Sequence, residues 1–184
     1  MVPPMPAMAQ VAYKAVKTDP MGRQLAHFGH RLGATLIDDV VAFIIALPGI
    51  ILLFATSTSR VVLLDNGNIG TQPSFKPVGL LGMAVFGVLA ILYVPVMLTM
   101  KGYTFGNMAL GTIVVDATSG AQLRPGQAWG RSAVSFAIYL LSSMLLGIGS
   151  LLDDLWCLWD PKQQTLHDKA AKTLVVKKLA QPFQ

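Results

Sequence analysis

Three long apolar blocks dominate this chain, at residues 32–55, 78–100 and 132–159. At about 1.5 Å per residue, helices of the first two lengths can cross a hydrocarbon core of roughly 30 Å. Only 12% of the residues are charged, which is about half the fraction usual in a soluble domain. The sequence therefore predicts an all-α membrane protein in which lipid surrounds these blocks.

The third block is too long for one crossing and too short for two. It has 28 residues, and residues 147–149 (Gly-Ile-Gly) divide it. Lysine and arginine are frequent before the first block, between the second and third, and after the third, whereas the loop at 56–77 has only Arg60 and Lys76. Short cytoplasmic loops concentrate basic residues, so the N-terminus, middle region and tail are all predicted in the cytoplasm. This favours a re-entrant or bent hairpin for 132–159. One full crossing followed by an interfacial helix is the alternative.

A small cytoplasmic β element is predicted beside two full transmembrane helices and this glycine-broken third. Residues 112–116 have the pattern of a strand, 117–120 of a turn and 121–124 of its partner, and the strand-like 172–177 can add to that hairpin. Residues 1–24 are predicted to be a flexible lead-in, 25–178 the membrane domain and 179–184 a tail. Residues 56–77 are predicted to form a polar loop rich in Ser, Thr, Asn and Gly.

Charged residues interrupt the apolar blocks near their predicted cytoplasmic ends. A carboxylate at the centre of a bilayer costs about 2.5–3.5 kcal/mol, so such residues normally face protein or water. By residue count, both aspartate pairs lie about 10 Å inside the interface, and we expect them to face one another. The candidate polar cluster comprises Arg31, Asp38, Asp39, Arg131, Asp153 and Asp154.

Arg31 and Asp38 share a helix face, but their Cα atoms are about 10 Å apart along the axis, so we expect no direct contact. Arg31 is instead predicted to extend towards a lipid phosphate. The cluster can bind a cation, carry a proton, hold helices together or contact a partner subunit, and the sequence leaves these alternatives open.

Other kinds of function receive little support from the residues. The single Cys157 excludes an internal disulfide or a cysteine-rich metal site. The basic residues form no stripe interleaved with aromatic residues, so nucleic-acid binding is not expected. No nucleophile, metal or cofactor constellation is evident, and His167 beside Asp168 is interpreted as an interfacial polar anchor. We therefore expect neither an enzyme nor a bound cofactor.

Three blocks of sequence resemble the RDD family of bacterial membrane proteins, which is named for one arginine and two aspartates. They are RLGATLID at 31–38, GYTFGNMALGTIVVD at 102–116 and QTLHDKAAKTLVV at 164–176. Arg31 and Asp38 match the arginine and the first aspartate. Asp168 is taken as the second, with Asp116 and Asp39 as alternatives. Asn107 departs from the resemblance, since many relatives are expected to have a basic residue there.

The resemblance implies a multi-pass protein of the bacterial inner membrane, with a poorly defined function and a suggested role in transport of ions or small ligands. The first hypothesis is ion- or proton-coupled transport that uses the acidic cluster. The alternative is a non-catalytic scaffold or accessory subunit of a membrane complex. Two full helices and a divided third make a small transporter, which favours that alternative or a homo-oligomer. The expected partners are lipid and other membrane subunits.

Overall fold

Two long apolar helices are the candidate membrane-spanning segments of the fold. A computed structural model of the chain describes residues 17–144 and 148–178. Helix α1 covers Phe28–Ala55 and helix α2 covers Pro77–Lys101. Each has a mean hydropathy of 2.4 over its most apolar stretch, and only 6% and 11% of those stretches are buried within the chain. Both helices are therefore long and apolar enough to cross a membrane, with most of their surface free to face lipid.

Glycines bring α1 and α2 into close contact. A Cβ atom added at Gly49 would lie 2.8 Å from the carbonyl oxygen of Gly82, and one added at Gly82 would overlap the side chain of Leu52. Small residues at such positions let the backbones of membrane helices approach each other. Pro48 and Pro95 both lie inside their helices without ending them.

The connection between α1 and α2 is a β-hairpin, and the prediction of a polar loop at 56–77 did not include its two strands. Strand β1, Thr58–Leu63, pairs in antiparallel register with strand β2, Ile69–Ser74. Its apolar side chains stay exposed, with Val61, Leu63 and Ile69 each at least 73% accessible. The hairpin thus buries no apolar face of its own, and this is why the hydrophobic pattern did not reveal it.

A second two-stranded sheet joins the middle of the chain to its end. Strand β3, Thr112–Asp116, pairs antiparallel with strand β4, Thr173–Lys177. The predicted partner at 121–124 is wrong as a strand, because only Gln122 forms a bridge to Val115. The tail strand takes that place because burying it completes a core: Val114, Val175 and Val176 are at most 3% exposed.

Residues before α1 also pack on this sheet. Leu25 bridges Val176, and the Ala26 amide donates to the Val175 carbonyl. Arg23 forms an ion pair with Asp19 at 2.5 Å and also donates to the Gly120 carbonyl. Ordered structure therefore begins before the predicted domain boundary at residue 25. Residues 1–16 of the predicted lead-in, and the tail at 179–184, lie outside the described residues.

Four shorter helices complete the described structure. They are α3, Phe105–Ala109; α4, Pro125–Met144; α5, Ile148–Leu155, which continues into a 3-10 turn at Trp156–Leu158; and α6, Leu166–Ala171. Gly102 ends α2 with a left-handed φ of +74°, a conformation that glycine adopts without strain. The chain can thereby turn sharply into α3.

The third apolar block consists of two helices that pack against each other. Gly147, part of the predicted glycine break, lies outside the described residues, and α5 begins directly after it. A Cβ atom added at Gly149 would overlap the Ser142 side chain of α4. Arg131 of α4 and Asp153 of α5 both bond to residues of α6. Helix α5 therefore runs back towards the level at which α4 began.

Candidate functional site

Asp168 lies at the centre of the polar network that joins these helices. Its carboxylate is fully buried, accepts a hydrogen bond from Arg31, and lies 2.9 Å from Nε of Arg131 and 3.0 Å from the Thr173 hydroxyl. Burial alone would raise the pKa of Asp168, but the Arg131 and Arg31 guanidinium groups hold it well below its usual range. Asp168 is therefore an ionised carboxylate between two cations.

This arrangement corrects two expectations from the sequence. Arg31 does not extend to the surface: it is 8% exposed and bonds to Asp168 and to the Ala26 carbonyl. Asp168 is an interior residue that closes a capping box with Thr165 at the start of α6, and is no interfacial anchor. The error has a physical cause, since an arginine can enter an apolar region when a carboxylate from elsewhere in the chain neutralises it.

Asp38 holds the short helix α3 against α1. Its Oδ1 accepts from the Tyr93 hydroxyl at 2.7 Å and from the Gly106 amide at 2.8 Å, and its Oδ2 accepts from the Thr104 hydroxyl at 2.5 Å. A Cβ atom at Gly106 would overlap the Ala34 carbonyl oxygen. Asp38 thus has three donors within the chain, and Arg31 is not among them, which agrees with the expected lack of contact.

Asp153 is fixed in a similar way by α6. It is 4% exposed and accepts from the backbone amides of Leu166, at 2.8 Å, and His167, at 3.1 Å. Nδ1 of His167 lies 2.6 Å from its other carboxyl oxygen. Asp153 is therefore directed at His167, and not across at Asp38 as the sequence analysis expected.

All six residues of the candidate polar cluster nevertheless border one cavity of about 350 Å³, here called the charged cavity. His167 also lines it. Four carboxyl groups and two guanidinium groups give its wall a formal charge of −2 when His167 is neutral. The cluster predicted from helix spacing is thus brought together around a space, although its members do not bond to one another.

Three charged groups in the wall of the charged cavity have unused bonding capacity. Within residues 17–144 and 148–178, the carboxyl groups of Asp39 and Asp154 have no hydrogen-bond partner, and neither does the buried Nη2 of Arg31. Asp154 is close enough to interact electrostatically with Asp39 and Arg131. Asp39 and Asp154 are therefore the acidic groups that remain available to a ligand.

An apolar groove of about 390 Å³ adjoins the charged cavity between α2 and α4. Asp39, Arg131, Ser135 and Tyr139 line both spaces. The rest of the groove is formed mainly by apolar and aromatic side chains. The charged cavity is thereby bordered on one side by a surface suited to lipid or to an apolar part of a ligand.

Asp116, the alternative second aspartate, lies apart from Arg31. It is the last residue of β3 and accepts from Gln127 at 2.5 Å and from the Ser119 amide at 2.8 Å. These hydrogen bonds hold the pKa of Asp116 well below its usual range, and the bond from Gln127 has a larger effect than the bond from the Ser119 amide. Of the three candidates, Asp168 is the aspartate that the structure brings into contact with Arg31.

Sequence reasoning missed several uncharged residues of the site. Tyr93 is one of the few polar side chains of α2, and Thr104 caps α3 while donating to Asp38. Asn107, where a basic residue was expected, is buried and joins Thr104 to Thr112 at 3.0 Å each. Thr104 could have been recognised from the sequence, because threonine is a preferred residue immediately before the first turn of a helix. The partner of Tyr93 was not visible in the sequence.

A comparison with protein families matches residues 25–172 to the RDD family. The chain belongs to the RDD family. The match begins at the predicted domain boundary and includes both apolar helices, the charged cavity and α6. The resemblance drawn from the three sequence blocks is confirmed, and family membership together with the two apolar helices indicates a membrane protein.

Two further comparisons add no relative to this RDD protein. Neither the curated proteins nor the solved structures contain a match. Among the residues that the structure describes, no three His, Cys, Asp or Glu side chains are grouped so as to hold a metal ion. The function must therefore be argued from the charged cavity itself.

Proposed function

We propose that this RDD protein is a transporter of the bacterial inner membrane that couples the movement of a cation or proton to the movement of its substrate. Asp39 and Asp154 are the groups that bind and release the cation or proton. The observation that carries the proposal is that these two carboxyl groups line the charged cavity without a hydrogen-bond partner among the described residues. Asp39 is exposed on the surface of α1, within the apolar stretch, and Asp154 is half-buried on α5. Carboxylates left unpaired in a membrane protein are characteristic of ion or proton pathways.

The proposed topology places the N-terminus, the β3–β4 sheet and α6 in the cytoplasm, with the β1–β2 hairpin outside. The basic residues support it, because the hairpin end has only Arg60 and Lys76. Helices α4 and α5 then form a re-entrant hairpin that enters and leaves on the cytoplasmic side. Labelling of single cysteines in a Cys157→Ser background tests this: Asn66→Cys should react from outside, and Lys162→Cys only after permeabilisation.

The transport proposal is tested with the full chain in proteoliposomes containing a pH-sensitive dye. An imposed pH gradient should dissipate when Na⁺, K⁺ or Li⁺ is added, and at least tenfold more slowly with Asp39→Asn or Asp154→Asn. Asp65→Asn removes an exposed carboxylate in the hairpin turn and is the matched control. Wild-type rates in the double variant Asp39→Asn/Asp154→Asn would overturn the proposal.

The second candidate is a scaffold or accessory subunit, alone or as a homo-oligomer. The observation in its favour is that Asp38, Asp153 and Asp168 each bond to neighbours within the chain, which is what a purely structural polar network does. This function predicts no cation-dependent flux from the purified wild-type protein. It also predicts that other membrane subunits are recovered with it after crosslinking in the membrane.

A further inference from the structure

The charged cavity has unused bonding groups of opposite charge. Arg31 uses Nη1 for Asp168 and Nε for the Ala26 carbonyl, while its Nη2 is buried and has no partner among the described residues. The Arg31 side chain is 8% exposed and borders the charged cavity. A buried N–H group of a cation that lacks an acceptor is unfavourable. An oxyanion in the cavity would satisfy it.

The carboxylates supply the complementary half of the site. Asp39 lies on α1 and Asp154 on α5, and each borders the same cavity without a hydrogen-bond partner in the described parts of the chain. Asp39 is exposed and Asp154 half-buried, so both can be reached by a ligand, and together they attract positive charge.

We propose that the charged cavity binds a small zwitterionic solute, with its oxyanion at Arg31 and its ammonium group at Asp39 and Asp154. The cavity volume of about 350 Å³ is at the lower end of the range for small-molecule sites, roughly 300–1,000 Å³. The inference rests on the proposed function, because the zwitterion is the substrate whose transport the cation drives.

Ligands of a single charge fit the same wall less well. A lone cation would leave Nη2 of Arg31 without an acceptor. A lone anion would satisfy Arg31 but face a wall with a formal charge of −2 and leave both carboxylates unpaired. A zwitterion meets both requirements and adds no net charge to the cavity.

The test measures binding to the full-length protein in detergent by isothermal titration calorimetry. The probes are glycine betaine and proline, with tetramethylammonium and acetate as the separate positive and negative halves. We expect saturable binding of at least one zwitterion, and binding at least tenfold weaker for each half. Asp39→Asn and Asp154→Asn should each weaken zwitterion binding at least tenfold, whereas Asp65→Asn should leave it unchanged.

Two further variants separate loss of binding from loss of folding. Arg31→Lys keeps the charge beside Asp168 but removes Nη2, and should weaken binding of the zwitterion and acetate alike. If that variant does not fold, Ser135→Phe fills the cavity at a residue whose side chain forms no hydrogen bond in the described structure. It should abolish binding while the unfolding midpoint stays unchanged.

Failure of this inference and failure of the proposed function give different results. Absence of binding by both zwitterions, or equal binding by tetramethylammonium or acetate, would overturn the zwitterion site. Cation-dependent flux would then still support the proposed function. Zwitterion binding without any cation-dependent flux, measured with that zwitterion present, supports the site and overturns the coupling.

Discussion

Arg31 and Asp168 form a buried ion pair between residues 137 positions apart in the sequence. Arg31 lies in the first turns of membrane helix α1, and Asp168 in the first turn of α6. Arg131 of α4 binds the second carboxyl oxygen of Asp168. One carboxylate therefore holds three helices together at one end of the molecule, and the charged cavity is built beside it.

Replacing Asp168 should destabilise the protein strongly. Asp168→Asn leaves two buried guanidinium groups without a carboxylate, and removing one partner of a buried pair typically costs about 3–5 kcal/mol. The free energy of unfolding in detergent, measured by denaturant titration, should fall by about that amount. The matched control Asp65→Asn removes an exposed charge and should stay within about 0.5 kcal/mol. Equal stability of the two variants would contradict the structural role assigned to Asp168.

Stability should decline in acid because of carboxylates outside the membrane helices. Burial would raise the pKa of Asp168 and Asp160, but Arg131 and Arg31 lower it for Asp168, and the Lys169 side chain at 2.6 Å lowers it for Asp160. The folded pKa values thus lie below the ordinary 3.8. The associated stability is present above pH 3.8 and is lost as the pH falls through the folded pKa values.

The measurement is the thermal unfolding midpoint as a function of pH. The midpoint should decrease once the pH is lower than about 4. In Asp168→Asn the midpoint should depend less strongly on pH. An unfolding midpoint that stays level between pH 5 and pH 2 in the wild-type protein would count against the prediction.

Residue counts along the helices predicted that four carboxylates lie at a similar level, but not the bonds that they form. Asp38, Asp39, Asp153 and Asp154 lie at equal depth from the ends of their apolar blocks, and this depth is fixed by the rise per residue. They do border one cavity, together with Arg31 and Arg131. Local spacing determines depth, so these charged residues of the cavity wall could be named from the sequence, whereas its uncharged residues could not.

Which group bonds to which could not be predicted, because each choice depends on contacts distant in sequence. Asp38 bonds to Tyr93 and Thr104, and the tail strand β4 displaces residues 121–124 as the partner of β3. Burial of Val175 and Val176 decides that strand pairing. No local sequence pattern indicates these contacts. The prediction therefore paired β3 with residues 121–124, which are nearer in the sequence, instead of with β4.

Gly106 should tolerate no larger residue. In Gly106→Ala the new Cβ would overlap the Ala34 carbonyl oxygen and lie 2.9 Å from Cγ of Asp38, so α3 must move away from α1. Forced repacking of this kind typically costs about 1–3 kcal/mol. Gly130→Ala is the matched control, since a Cβ there meets nothing within 4 Å; alanine should be neutral or stabilising by up to about 1 kcal/mol in α4. Denaturant unfolding of both variants compares them directly, and a Gly106→Ala protein as stable as wild type would contradict the close contact.

The neighbouring aspartates Asp38 and Asp39 should respond differently to substitution by asparagine: the first change should lower stability and the second should not. Asp38→Asn replaces an acceptor used by Tyr93, Thr104 and Gly106, and should lower the free energy of unfolding by about 1–3 kcal/mol. Asp39→Asn breaks no hydrogen bond of the described structure, so it should leave stability within about 0.5 kcal/mol while reducing flux.

A double-mutant cycle isolates the contact that distinguishes them. Tyr93→Phe removes the hydroxyl 2.7 Å from Asp38, and its effect should be largely lost in the Asp38→Asn background, with a coupling energy of about 0.5–3 kcal/mol. In the Asp39→Asn background its effect should be unchanged, because Asp39 does not contact Tyr93. Additive effects in the Asp38 cycle would mean that the carboxylate does not anchor α3. Loss of flux in Asp38→Asn alone would then assign the exchanging role to Asp38 instead of Asp39.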